Sequence, residues 1–195
     1  MTDNEEAIEE KIFFVKPQKI DLRNLNCKGR ILDLGGGGEG IIGQLYENHV
    51  IAIDKNENEL KEALGDFIKI IMDARDMKFL DESFDTVTSF FTLLYVPTSD
   101  RKKIFQEVKR VLKFNGEFII WDLVIPNRNN NVKQLFGVRI EISMKDKKVS
   151  TGYATHWNKQ QNLKYYLKLG KEIGFKVLEC VDKGEIFYLK FQKTV

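Results

Sequence analysis

Residues able to hold a ligand cluster in the first third of the chain. The stretch Ile31-Leu-Asp-Leu-Gly-Gly-Gly-Gly-Glu-Gly40 sets four consecutive glycines behind a short apolar run. Bare glycine backbone lets a ligand approach where a Cβ would block it, and a helix beginning there offers unpaired N–H groups. Gly35, Gly37 and Gly40 also satisfy Gly-x-Gly-x-x-Gly, a pattern shared by dinucleotide-binding folds. The competing reading is a tight turn without a ligand. Asp54 follows Gly35 by 19 residues. A carboxylate there can accept two hydrogen bonds from ribose hydroxyls, unless it is an ordinary surface Asp at a strand end. Asp33 lies inside the apolar run, where a buried carboxylate needs donors or a cationic partner. In Ile71-Met-Asp-Ala-Arg75, Asp73 can accept from an adenine amino group while Ala74 presents its N–H. Crowded carboxylates disfavour a diphosphate and favour an adenosine ligand with sulfonium and ammonium groups.

These residues need elements to position them. Arg30–Leu34, Val50–Asp54, Ile68–Met72, Phe84–Ser89 and Gly116–Leu123 are short apolar runs that predict buried strands. Ile104, Phe105, Val108, Val111 and Leu112 recur at helical spacing between two of them. Strands alternating with helices imply a mostly parallel sheet covered on both faces. Asn158 with Gln161 resembles a capping box for a helix carrying Leu163, Tyr166, Leu167 and Ile173, with Gly174 at its end. Phe175–Asp182 and Ile186–Gln192 are joined by only Lys183-Gly184-Glu185, too short for a crossover, so they pair antiparallel. Val138–Ser143 and Val149–Thr155 predict a hairpin inside 126–157, the one segment outside the alternation.

The chain has 195 residues, 31 Lys plus Arg and 29 Asp plus Glu, a net charge of +2. That length suits one domain, taken as 1–195, and the near balance of charge disfavours nucleic acid as a partner. The longest apolar stretch, Phe118–Pro126, is broken by Asp122, whereas a membrane span needs about 20 apolar residues. Asp3, Glu5, Glu6, Glu9 and Glu10 sit where a secretory signal would carry basic residues. Two isolated cysteines, Cys27 and Cys180, form no disulfide framework, and no acidic or histidine cluster suggests a metal. The expectation is a cytoplasmic protein. Residues 127–150 carry six basic side chains against Glu141 and Asp146, either a steering patch for an anionic substrate or a solvated hairpin face.

At these motifs the sequence resembles the class I S-adenosylmethionine-dependent methyltransferases. Ile31–Gly40 looks like the family's first motif, with Gly36 where Cys is common, and Val50-Ile-Ala-Ile-Asp54 looks like its second strand with a ribose-binding acid. Met72-Asp73-Ala74 looks like the adenine segment, and Phe84-Asp-Thr-Val-Thr-Ser-Phe-Phe91 like the fourth strand and its exit. Val108–Phe118 looks like the passage into the fifth strand, with Phe114 for the usual Pro and Asn115 for a Gly. The resemblance covers roughly 28–123. It implies a Rossmann-like, doubly wound α/β fold with seven strands, the last antiparallel, and S-adenosylmethionine as cofactor. Carried over, Gly35, Gly36 and Gly37 pass under the methionine part, and Asp33 sits near its amino group. Asp54 takes the ribose, Lys55 flanks the adenosine, Asp73 and Ala74 read the adenine, and carbonyls around Ser89 and Phe90 reach the amino group.

Methyl transfer from a cationic sulfur needs a nucleophile held in line about 3–3.5 Å away, and a base only if the acceptor must lose a proton. Base candidates are Asp122, Tyr95 and His156, each with a structural alternative. Phe90, Phe91, Tyr95, Asp122 and Trp157 are candidates to line the acceptor pocket, with Phe13 and Phe14 as a lid in the N-terminal segment 1–27; core packing is the competing reading. No Asn-Pro-Pro-Tyr-like segment follows the fourth strand, which disfavours nucleic acid bases as acceptors. The expected acceptor is therefore a small molecule. Two rival readings are an NAD(P)-dependent oxidoreductase and a non-catalytic adenosylmethionine-binding protein. Against the first, none of the six tyrosines has Lys four residues on.

Overall fold

A computed structural model describes residues 10–194, so the acidic residues Asp3 to Glu9 lie outside the described part. The strands are β1 (Ile12–Phe14), β2 (Gln18–Asp21), β3 (Ile31–Leu34), β4 (Val50–Asp54), β5 (Ile68–Ile71), β6 (Phe84–Phe90), β7 (Leu112–Leu123), β8 (Leu135–Ser143), β9 (Lys148–His156), β10 (Phe175–Asp182) and β11 (Ile186–Lys193). The α-helices are α1 (Ile41–Tyr46), α2 (Glu57–Glu62), α3 (Thr98–Val111) and α4 (Leu163–Ile173).

Seven strands form the main sheet in the order β10-β11-β7-β6-β3-β4-β5. Only β11 runs against its neighbours; it is antiparallel to both β7 and β10, as its three-residue link to β10 requires. The central strands are apolar on both faces because both are covered. Ile31, Val50, Ala52, Ile119 and Trp121 pack against Ile41, Ile42 and Leu60 of α1 and α2. Leu32, Leu34, Val87 and Phe118 on the other face meet Ile104, Phe105 and Val108 of α3 and Tyr166 and Leu169 of α4.

The capping logic differs from expectation at α4. The helix begins at Leu163, and Asn162, not Asn158, accepts the backbone N–H of Tyr165 at 2.8 Å. Gly174 then ends it with φ +90°, a conformation other residues resist. Between β5 and β6 the chain crosses without an α-helix, through turns anchored by Arg110, which donates to the Met77 and Phe79 carbonyls at 2.8 Å each.

Segment 126–157 does contain the hairpin, β8 and β9 paired antiparallel. Its other edge is taken by β1 and β2, which lie end to end along β8, both parallel to it. Phe13 and Phe14 are therefore locked in a sheet and do not form a flap. Phe136, Val138, Ile140 and Ile142 of β8 join the core that covers the β3–β4 face, so the second sheet and the main sheet share one apolar layer. No helix among the described residues is long and apolar enough to cross a membrane.

Candidate active site

Parallel strands leave their carboxyl ends on one edge, and a crevice opens where neighbouring connections diverge to opposite faces. Here β3 sits between β4 and β6, and a cavity of about 820 Å3 opens at their ends. Asp33, Gly35, Gly36, Gly37, Asp54, Lys55, Asp73, Ala74, Phe90, Phe91 and Tyr95 all line it.

The glycine turn is tightly built. Gly35 has φ +66° and donates to the Ile53 carbonyl at 2.8 Å, which ties the turn to β4. A Cβ on Gly35 would lie 2.3 Å from Thr92 Cγ2, and one on Gly37 2.5 Å from Glu59 Cβ. The turn thus needs glycine to fit its own protein neighbours as well as to leave the cavity open.

Three acids from three strands have different environments. Asp33 is buried beneath the turn, where the Thr88 hydroxyl donates to its Oδ1 at 2.7 Å. Burial pushes its carboxyl up to about 7, with the charge of Asp54 adding to the effect. Asp54 Oδ1 accepts the Asn56 N–H at 2.8 Å, and its Oδ2 has no protein partner among the described residues. Asp73 is the most engaged. Arg75 donates to it through its backbone N–H at 2.9 Å and its side chain at 2.7 Å, and these bonds hold the carboxyl down at about 2. Lys55 Nζ lies 3.5 Å away, and Arg75 also pairs with Asp100 at 2.7 Å. This Lys55–Asp73–Arg75–Asp100 chain occupies the acceptor sites that Asp73 was expected to turn toward an adenine amino group.

Aromatic rings wall another part of the cavity. Phe91 holds φ +51°, an unfavourable conformation for a bulky residue, and its ring stacks on Tyr153 at 4.8 Å and 6°. Phe90 meets Phe91 edge-on at 5.1 Å. Tyr95 lines the cavity with about half of its surface exposed, and desolvation of its hydroxyl lifts its pKa to about 12, with the charges of Asp122, Glu59 and Glu39 also acting on it. Tyr153 donates its hydroxyl to Glu39 Oε2 at 3.2 Å, and the Thr151 hydroxyl donates to Glu39 Oε1.

Other expected residues lie elsewhere. Ser89 is fully buried and does not line the cavity, and its Oγ has no hydrogen-bond partner among the described residues. The Thr92 hydroxyl bonds the Leu34 carbonyl at 2.8 Å and the Phe90 carbonyl at 3.3 Å, so it uses part of the acceptor capacity expected there for an ammonium. Phe14 and Trp157, with Phe13, line a second cavity of about 610 Å3. His156 is exposed on β9. Asp122 is fully buried outside the cavity lining and accepts from Leu94 N at 3.1 Å, Leu123 N at 2.7 Å and Gln161 Nε2 at 2.7 Å. It fastens the loop that carries Tyr95 and touches no open volume, which corrects its candidacy for substrate contact.

Sequence reasoning missed Glu39, Glu59 and Tyr153. The alternation of Val149, Thr151 and Tyr153 along a predicted strand was the available signal for Tyr153; for Glu59, packed on the turn by tertiary contact, there was none.

The cavity suits a nucleoside with a cationic tail. A carboxylate oxygen of Asp54 left as an acceptor among the described residues, a second carboxyl beneath the turn and backbone bare of Cβ atoms are the features such a ligand needs.

Residues 32–120 match a sequence family described as a methyltransferase domain. A sterol 4-C-methyltransferase of Caenorhabditis elegans is 31% identical over 56% of this chain and 35% of its own length. A phosphatidylethanolamine N-methyltransferase of Cereibacter sphaeroides is 33% identical over 53% of this chain and 56% of its own. The chain thus spans about a third to just over half of the length of these relatives. A solved S-adenosylmethionine-dependent methyltransferase from Methanosarcina mazei shares the fold at a TM-score of 0.63 and 18% identity, covering 88% of this chain and 95% of that one. The similarity to a methyltransferase domain thus covers 32–120, and the seven-stranded sheet of this order is the fold shared with that solved structure.

Proposed function

We propose that this protein transfers a methyl group from S-adenosylmethionine to a small-molecule acceptor. The observation that carries the reading is the Asp54 Oδ2 left without a partner among the described residues, beside the bare glycine turn on a cavity of about 820 Å3. Asp54 would hold the ribose hydroxyls, and Lys55 and Ala74 would flank the adenine. Gly35, Gly36 and Gly37 would support the methionine part, with Asp33 beneath it. Asp73 would act chiefly by ordering Arg75 and Lys55 at the adenine end.

When bound, S-adenosylmethionine supplies a methyl group on a cationic sulfur that is already a good leaving group. The chain's own residues then need only bind, align and exclude water. Phe90, Phe91, Tyr95 and Tyr153 form the wall against which an acceptor would be held. Asp122 would be a positioning residue, since its hydrogen bond to Leu94 N sets the loop bearing Tyr95. Against a nicotinamide dinucleotide stand Asp33, Glu39 and Glu59, which would repel a diphosphate placed at this turn.

Names of relatives give a sterol and a phosphatidylethanolamine as acceptors, and a small molecule is the class carried over. Calorimetric titration with S-adenosylmethionine, S-adenosylhomocysteine and NADH tests the cofactor. Heat with both adenosyl ligands and none with NADH is expected, and the reverse would overturn the reading. Transfer of labelled methyl to a metabolite panel distinguishes an enzyme from a protein that only binds the cofactor.

A further inference from the structure

The cavity's charge is one-sided in a way that bears on its acceptor. Seven carboxyl groups line it against two cations, Lys55 and Arg75. Both cations are paired with acids, at Asp73 and Asp100, so neither is free to receive an anion. Away from them, the wall of Phe90, Phe91, Tyr95 and Tyr153 faces Glu39. That carboxylate is held in place from both oxygens, by the Thr151 and Tyr153 hydroxyls. A fixed carboxylate beside an apolar wall attracts a cation by charge and gives its alkyl groups a surface to pack on. A phosphate or carboxylate on the acceptor would meet Glu39 there, and the cavity's two basic side chains lie paired at the other end. Glu59, whose carboxyl is raised by burial and by Glu62, Asp54 and Glu39, adds to the same field.

From this we infer that the acceptor is a basic amine without a phosphate or carboxylate, and that Glu39, oriented by Tyr153 and Thr151, is the residue that selects it. The inference rests on the methyltransferase reading and narrows it to one acceptor class.

Three small probes separate charge from shape. 2-(Dimethylamino)ethanol is protonated at pH 7, 3-methyl-1-butanol is its uncharged carbon isostere, and its phosphate ester adds the anion. Each is titrated calorimetrically into the full chain loaded with S-adenosylhomocysteine. The amine is expected to bind about tenfold or more tightly than either comparator, the margin of one desolvated cation contact. Glu39→Gln should erase that margin while S-adenosylhomocysteine still binds, and Tyr153→Phe should reduce it. Equal or undetectable binding of all three probes, or tighter binding of the phosphate ester, overturns the amine inference and leaves the cofactor reading standing. Failure of S-adenosylhomocysteine to bind the unaltered chain overturns the cofactor reading itself.

Discussion

Replacing Asp33 by Asn should stabilise the protein at alkaline pH while weakening cofactor binding. Asp33 is 2% exposed, with its carboxyl raised from 3.8 to about 7, chiefly by burial. A folded-state value above the unfolded one means that the folded protein keeps a proton the unfolded chain releases. The contribution of Asp33 to stability is therefore full below about pH 4, falls as pH rises from about 4 to 7, and levels off above. At about 1.4 kcal/mol per tenfold, that displacement amounts to about 4 kcal/mol. Asp33→Asn keeps an oxygen for the Thr88 hydroxyl and removes the charge, so it should recover about 4 kcal/mol at pH 8 and almost nothing at pH 4. Asp122, also lifted to about 7 by burial, contributes a parallel fall, and the double variant with Asp122→Asn should be nearly flat across this window. Urea denaturation at pH 4, 6 and 8 on the two variants and the parent measures this. A variant less stable than the parent at pH 8, or destabilised equally at every pH, would refute the reasoning.

Further expectations follow from the same geometry. Asp54→Ala should weaken S-adenosylmethionine binding by about 1–3 kcal/mol, read by calorimetry, because it removes a charged hydrogen-bond acceptor. Gly37→Ala sets a Cβ 2.5 Å from Glu59 Cβ and 2.9 Å from the Glu59 carbonyl carbon. Overpacking of that kind costs about 1–3 kcal/mol in a urea titration. Asp122→Ala strands three buried donors and should cost about 3 kcal/mol or more of stability. Asp122→Asn should retain methyl transfer, and loss of turnover in a well-folded Asn variant would restore Asp122 as a base.

The main sheet was legible because its signals are local. Apolar runs with Gly or Asp at their ends give β3 and β4, and the three-residue Lys183–Glu185 link dictates the antiparallel pair. That Asp33, the glycines and Asp54 meet at one cavity was legible for the same reason, since strand ends set them. Long-range pairing was not legible. Nothing in Ile12–Phe14 or Gln18–Asp21 says that these residues join the edge of a strand more than a hundred positions later. That pairing turns the expected lid into a sheet and sends Phe13, Phe14 and Trp157 to a second cavity. Asp122 was misplaced because a strand-end carboxylate looks the same in sequence whether it faces solvent or three buried donors. Glu39 sat inside the most conspicuous motif, but its role depends on Thr151 and Tyr153 of a distant hairpin.

A crystal structure with S-adenosylhomocysteine bound bears most directly on the central claim. The account predicts ribose hydroxyls within hydrogen-bond distance of Asp54, the amino-acid tail over Gly35 to Gly37 and the sulfur facing the Phe91–Tyr153 stack. A ligand seated in the second cavity, or a glycine turn closed by the protein's own side chains, would contradict it.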